Sequence, residues 1–287
     1  MDSADGIRLI ALDVDGTVIY RDGGVSARLR AAVAEALQRG IRVMLATGRM
    51  VQSAERIWRD LGLSDGYLIT YNGAVIADMP AGTPQSTHAL PESAARWLAR
   101  EALAAGILTQ IYVGRELWVS EEDERVRRYI DAHHIPAWVR VDGKLLDWPE
   151  PPIKVLLQGD SVVLDQFRSR VQARGHELGV RIFKSQSDYL EMVAEGVGKG
   201  PALAQVAQWL GIDRAEIIAV GDAENDIDMI GWAGRGVAMG QAGPNVKRHA
   251  RWITGPVDQD GAALAIEELA LGLSNPMERL TPGAAQE

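Results

Sequence analysis

The sequence predicts an α/β fold in which a parallel-sheet core is interrupted by an inserted α/β domain. Three observations predict it. Apolar strand-like runs alternate with amphipathic helical segments near the start of the chain and again near its end, and acidic motifs follow two of those runs directly. Between the two halves the punctuation changes to proline- and glycine-rich stretches.

In order along the chain, the apolar run Leu9 to Leu12 reads as a buried strand. The segment "SARLRAAVAEALQRG" reads as a helix, with Ser26 as N-cap, Leu29, Val33 and Leu37 on one face, and Gly40 as the stop. "IRVMLATGR" supplies a second strand, residues 51 to 61 a second helix, and "YLIT" a third strand ending in the turn residues Asn72 and Gly73. Strand, helix, strand, helix, strand implies parallel pairing with right-handed crossovers. The tail resumes the pattern: "KGPALAQVAQWLGI" is a helix with Leu203, Val206 and Leu210 on its apolar face, and "EIIAVGD" and "GVAMG" are strands. "MPAGTPQST", "WPEPP" and "EGVGKG" punctuate the middle, with strand-like "QIYVGRELWVS" and "IKVLLQG" between helices. These mark residues 85–194 as the inserted domain, with 1–84 and 195–287 forming the two parts of the core.

Bulk properties narrow the function. At 287 residues, with 47% hydrophobic and 24% charged side chains, the chain has the composition of a globular protein able to bury more than one core. A net charge of −9 argues against a general nucleic-acid or anionic-membrane binder, which needs excess Lys and Arg. The absence of cysteine excludes disulfides, thiolate metal ligands and a cysteine nucleophile. The acidic N-terminal segment does not read as a signal peptide, and no apolar run approaches the ~18 residues of a membrane span, so a cytoplasmic location is expected. Oligomeric state is not predicted.

Four elements stand where open parallel sheets bind ligands, at the carboxyl ends of strands: "DVDGT", "ATGR", "GVGKG" and "GDAENDIDM". Read singly, Thr47 with Gly48 marks a helix start, Lys199 is a solvated lysine, and the acidic segment is a solvated turn. "GVGKG" is not a P-loop, because that motif needs Gly at 193 and Ser or Thr at 200, where Val193 and Gly200 stand. Asp13, Asp15 and Asp222, however, all fall at one sheet edge. Like charges about 4 Å apart repel by ~4 kcal/mol at an effective dielectric near 20, so they need a cation or raised pKa values. A hard divalent ion, Mg²⁺ above all, meets that need.

The motifs "LDVDGT" (12–17), "ATGR" (46–49), "YNGAVIAD" (71–78), "GVGKGPAL" (196–203) and "GDAENDIDMI" (221–230) together make the sequence similar to the haloacid dehalogenase-like hydrolases, and within them to the large-cap Cof-type sugar phosphatases. The resemblance implies a Rossmann-like core with an inserted α/β cap, and a Mg²⁺-dependent phosphatase acting on a small phosphorylated metabolite. Asp13 would be the nucleophile and Asp15 the general acid and base. Asp13, the main-chain carbonyl of Asp15 and Asp222 would hold Mg²⁺. Thr47, Gly48, Lys199 and Asn225 would form the phosphate site, with Asn225 and Asp226 orienting Lys199 and metal-bound water. Thr17 would steady Asp15, and Gly16 would serve the backbone turn. A phosphotransferase or mutase of the same fold, and a non-catalytic binding protein, are the alternatives.

Other residues read more plainly. His133 and His134, adjacent on a helix, point about 100° apart and make no chelate. "SEEDERVRR" fits a helix start with Ser120 as its cap. Arg49 either reaches toward the cap and substrate or pairs with an acid.

Overall fold

The computed structural model describes residues 6–20, 24–140, 143–273 and 277–279. Strand β1 (Leu9–Leu12) is apolar and buried at every position, as a strand covered on both faces must be. Helix α1 (Ala27–Gln38) carries the chain over to β2 (Arg42–Ala46), which pairs with β1 in parallel. The Ser26 hydroxyl accepts from the Leu29 N–H at 3.0 Å and caps α1 as expected. The buried face of α1 is Leu29, Ala32, Val33 and Ala36, whereas Leu37 is 38% exposed, which corrects the expected stripe. At about 100° per residue, Ala36 sits near the middle of the stripe, Ala32 and Val33 mark its two edges, and Leu37 falls beyond the Val33 edge.

Helix α2 (Val51–Asp60) leads to β3 (Gly66–Thr70), again parallel. The next two strands, β4 (Val75–Met79) and β5 (Thr83–Thr87), run antiparallel to their neighbours and extend the sheet. The break expected at residue 85 therefore falls inside β5, which still belongs to the larger sheet.

A second sheet follows, built from β6 (Leu108–Val113), β7 (Glu116–Val119), β8 (Trp138–Arg140), β9 (Lys154–Gln158), β10 (Val180–Gln186) and β11 (Tyr189–Ala194). Its order is β10-β11-β9-β6-β7-β8. Helices α3 (Glu92–Ala104) and α5 (Ser161–Ala173) cover one face, where Leu98, Leu164 and Phe167 pack with Val155 and Leu157. The two-residue period of β9 then turns Lys154, Leu156 and Gln158 to the opposite face, toward the core. Between β7 and β8 lies α4 (Glu124–His133), whose N-cap is Asp123, accepting from the Val126 N–H at 3.1 Å. Ser120, the expected cap, lies too far upstream: its hydroxyl accepts instead from the Thr109 N–H.

The chain returns through α6 (Lys199–Leu210), β12 (Ile217–Gly221), α7 (Ile227–Trp232), β13 (Arg235–Ala238), α8 (Pro244–Lys247), β14 (Trp252–Ile253), α9 (Gly261–Leu269) and β15 (Glu278–Arg279). Among the described residues the core sheet has nine strands in the order β15-β14-β13-β12-β1-β2-β3-β4-β5. Strand β1 thus has β2 on one side and β12 on the other, both parallel. Connections leave β1 in one direction and return from the other, which opens a crevice at the carboxyl ends of β1 and β12. The second sheet stands over that crevice.

Candidate active site

Asp13 follows β1 directly and Asp222 follows β12, so the switch point of the sheet brings them together from opposite ends of the sequence. The ammonium of Lys199, the first residue of α6, lies 2.6 Å from Asp13 Oδ1 and 2.5 Å from Asp226 Oδ1, and its side chain is fully buried. Asp13, Asp222 and Asp226 can bring one carboxylate oxygen each within 4.8 Å of one another. They are not equivalent. Asp226 uses one oxygen on Lys199 and the other on the N–H groups of Asp222 and Ala223, both at 3.0 Å. Asp222 Oδ1, by contrast, is buried with no partner. Ionised, three carboxylates against one ammonium leave two negative charges, the charge of one divalent cation. The oxygen-only donor set suits a hard ion.

The electrostatics agree. Burial, then the neighbouring Asp226, hold the Asp13 carboxyl well above its ordinary range against the pull of Lys199. Burial and Asp226 likewise push Asp222 up to about 7. Burial works against the Lys199 ammonium, but Asp13 and Asp226 more than offset it and raise its pKa. Gly16, at φ +85°, is required for more than its turn: a Cβ there would stand 2.3 Å from Asp222 Oδ2.

Asp15 faces the other way. Arg49 grips it with two nitrogens, at 2.9 and 2.6 Å, so of the two expectations for Arg49 the pairing with an acid is the one observed. Burial pushes the Asp15 carboxyl up, and the Arg49 fork more than reverses this, leaving it below its usual value. The hydroxyl of Thr17 is buried without a hydrogen-bond partner, and that of Thr47 accepts from the Arg49 N–H at 3.1 Å. His133 donates from Nδ1 to the Tyr129 carbonyl and stacks on the Tyr129 ring, while His134, expected on the same helix, is its left-handed C-cap, with its ring against Arg56.

A cavity of about 920 Å³ opens between the two sheets. Asp13, Asp15, Gly16, Gly48, Asp222 and Asn225 line it from the core; Thr17, Thr47, Lys199 and Asp226 are buried behind that wall. The remaining acids of the "GDAENDIDM" turn serve the contact between sheets: Glu224 pairs with Arg168 of α5 and Asp228 with Arg181 of β10, each at 2.5 Å.

Three residues at this contact escaped sequence reasoning. Lys154 and Glu191 form a buried ion pair at 2.7 Å, with side chains 1% and 4% exposed, and Asn72, read as a turn residue, donates to Glu191 at 2.9 Å. Their signal was present as a charge set inside each of two apolar strands, "IKVLLQ" and "YLEMVA".

Residues 10–266 match the family model of the haloacid dehalogenase-like hydrolases. The chain belongs to that family. An HMP-PP phosphatase of Serratia proteamaculans is 34% identical over 84% of this chain and 86% of its own length. A 5-amino-6-(5-phospho-D-ribitylamino)uracil phosphatase of Bacillus subtilis is 30% identical over 92% of this chain and 96% of its own. The crystal structure of a haloacid dehalogenase-like hydrolase from Bacteroides thetaiotaomicron superposes with a TM-score of 0.81 at 30% identity, covering 92% of this chain and 99% of that one. This hydrolase is therefore a phosphoric monoester hydrolase, with the parallel-sheet core and cap of its relatives. No helix among its described residues is long and apolar enough to cross a membrane.

Proposed function

We propose that this hydrolase is a cytoplasmic, Mg²⁺-dependent phosphatase that cleaves the phosphate monoester of a small hydroxylated metabolite, such as a sugar phosphate, through an aspartyl phosphate on Asp13. The observation that carries the reading is the Lys199 ammonium held between Asp13 and Asp226 beside the partnerless Asp222 Oδ1. Asp13, the main-chain carbonyl of Asp15 and Asp222 would hold Mg²⁺, which would offset charge on the phosphoryl group.

A carboxylate oxygen of Asp13 attacks phosphorus in line, and the bond from phosphorus to the leaving alcohol breaks. Asp15, ionised while Arg49 holds it, must first leave that fork and take up a proton from solvent, which frees the Arg49 N–H groups to turn to phosphoryl oxygens. It gives that proton to the leaving alcohol and, again a carboxylate, takes one from the water that cleaves the aspartyl phosphate. Lys199 supplies a compact positive charge beside Asp13, and Thr47 and Gly48 complete the phosphate cradle, while Asn225, whose nitrogen is held by Asn72, serves it through a donor such as metal-bound water. Residues 85–194 act as the cap that selects the substrate. There Gln158, Ser185, Gln186 and Asp188 line the cavity, polar groups suited to the hydroxyls of a small polyol.

The test is phosphate release from p-nitrophenyl phosphate and from a panel of phosphorylated metabolites, in water without an acceptor. Activity should vanish in EDTA and return with excess Mg²⁺, and Asp222→Ala should lose the response to Mg²⁺. Full turnover in chelator would remove the metal from the reading, and transfer of the phosphoryl group to a sugar acceptor with no free phosphate released in water alone would make the enzyme a transferase.

A further inference from the structure

Lys154 and Glu191 lie on adjacent strands of the second sheet, yet both reach into the core. The Lys154 ammonium donates to the Gly48 carbonyl at 2.8 Å and pairs with Glu191 at 2.7 Å. Glu191 accepts from Asn72 Nδ2 at 2.9 Å, and Asn72 Oδ1 accepts from Asn225 Nδ2 at 2.8 Å. All four side chains are buried. Gly48 leaves room for the third of them, since a Cβ there would stand 2.9 Å from Asn72 Oδ1.

The polarity of this chain is forced from one end. A carboxylate paired with a lysine only accepts hydrogen bonds, so Asn72 must turn its nitrogen to Glu191 and its oxygen to Asn225. Asn225 must then answer with its own nitrogen. An amide orientation that would otherwise be ambiguous is thereby set by a charge two side chains away. The result is Asn225 Oδ1, buried and without a partner, on a residue that lines the same cavity as Asp13 and Asp222. An acceptor left open beside two carboxylates matches a donor or a hydrated cation rather than a bare phosphoryl oxygen.

We propose that Glu191, held by Lys154, is a positioning residue of the cap that sets the orientation of the Asn225 amide through Asn72, so that the site acquires its acceptor only when the cap is seated on the core. The same contact pins the Gly48 carbonyl, turning the "ATGR" loop with it. The kinetic consequence rests on the phosphatase reading; the orientation itself does not.

The test removes each link in turn. Glu191→Leu takes away the acceptor that fixes the Asn72 amide, and Asn72→Leu takes away the acceptor that fixes Asn225. Each alone should lower kcat about tenfold or more, the scale of losing a charge-assisted hydrogen bond. Glu191→Gln joined to Asn72→Asp keeps the net charge, lets the glutamine amide donate to the new carboxylate and still offers Asn225 an acceptor, so this double variant should stay within about threefold of the parent. Should Glu191→Leu compromise folding by stranding Lys154, Asn72→Leu, which keeps the ion pair, carries the single-variant arm.

Side-chain amide NMR reads the relay without catalysis: the Asn225 N–H groups should be protected from exchange in the parent and in the double variant, and exposed in each leucine variant. A double variant no better than the leucine variants in both readouts would overturn the inference, as would leucine variants with parental protection and kcat. If Glu191 instead touched the substrate directly, the double variant would turn over no faster than Glu191→Leu. If the parent releases no phosphate from any ester, the phosphatase reading fails, and the exchange pattern still decides the relay.

Discussion

Asp15 and its surroundings show how far one side chain's behaviour depends on groups distant in sequence. The Arg49 fork keeps it ionised, and His133 from the second sheet's α4 lies close enough for each to perturb the other's pKa. Burial, reinforced by the Arg49 charge, lowers the His133 pKa from 6.5 to about 4 in the folded protein. The unfolded chain therefore takes up a proton across this range while the folded one does not. The contribution of His133 to stability is complete above pH 6.5 and is lost as pH falls toward 4, by at most about 3 kcal/mol and less because the ring is only half-buried. His133→Phe, which can keep the stack on Tyr129 but cannot titrate, should flatten the acid limb of a plot of Tm against pH. An unchanged slope would show that the imidazole charges freely in the fold.

At the scale of elements, periodicity and turn chemistry made the core strands and α6 legible, because each carries its own signal within about a dozen residues. What was not legible depended on partners elsewhere. Ser120 and Asp123 are both good helix caps by type, and only the end of the β7 ladder, which ties Ser120 to Thr109, decides between them. Asp123→Ala should therefore cost about 1 kcal/mol, while Asp123→Asn keeps most of the stability. Equal losses in urea denaturation would assign the effect to the Asp123 charge, which also pairs with Arg125, and not to the cap. Lys154 and Glu191 escaped for a similar reason: a charge inside an apolar strand announces a partner but not which one. Leu37 was misplaced because the buried stripe of α1 runs through Ala32 and Ala36, two small residues that a pattern of large apolar side chains passes over.

For the whole molecule, both ends of the chain and the insertion between them meet at one crevice. Asp13 and Asp222 were readable because each ends a strand in a motif, and the order of β12, β1 and β2 in the sheet sets them side by side. The contacts that seat the second sheet on the core, from Lys154 to Gly48 and from Arg168 to Glu224, span separations no local pattern reveals. What this assembly is proposed to do is pass a phosphoryl group to Asp13 and then to water, and Asp15→Asn isolates the first half. The substitution keeps the volume and the main-chain carbonyl but removes the proton shuttle, whereas a p-nitrophenolate ion leaves without protonation. Rapid quench of Asp15→Asn with p-nitrophenyl phosphate, followed by mass analysis of the peptide containing Asp13, should show a burst of p-nitrophenolate matched by phosphate on Asp13, absent from Asp13→Asn. Turnover with no phosphorylated peptide in either variant would contradict the account.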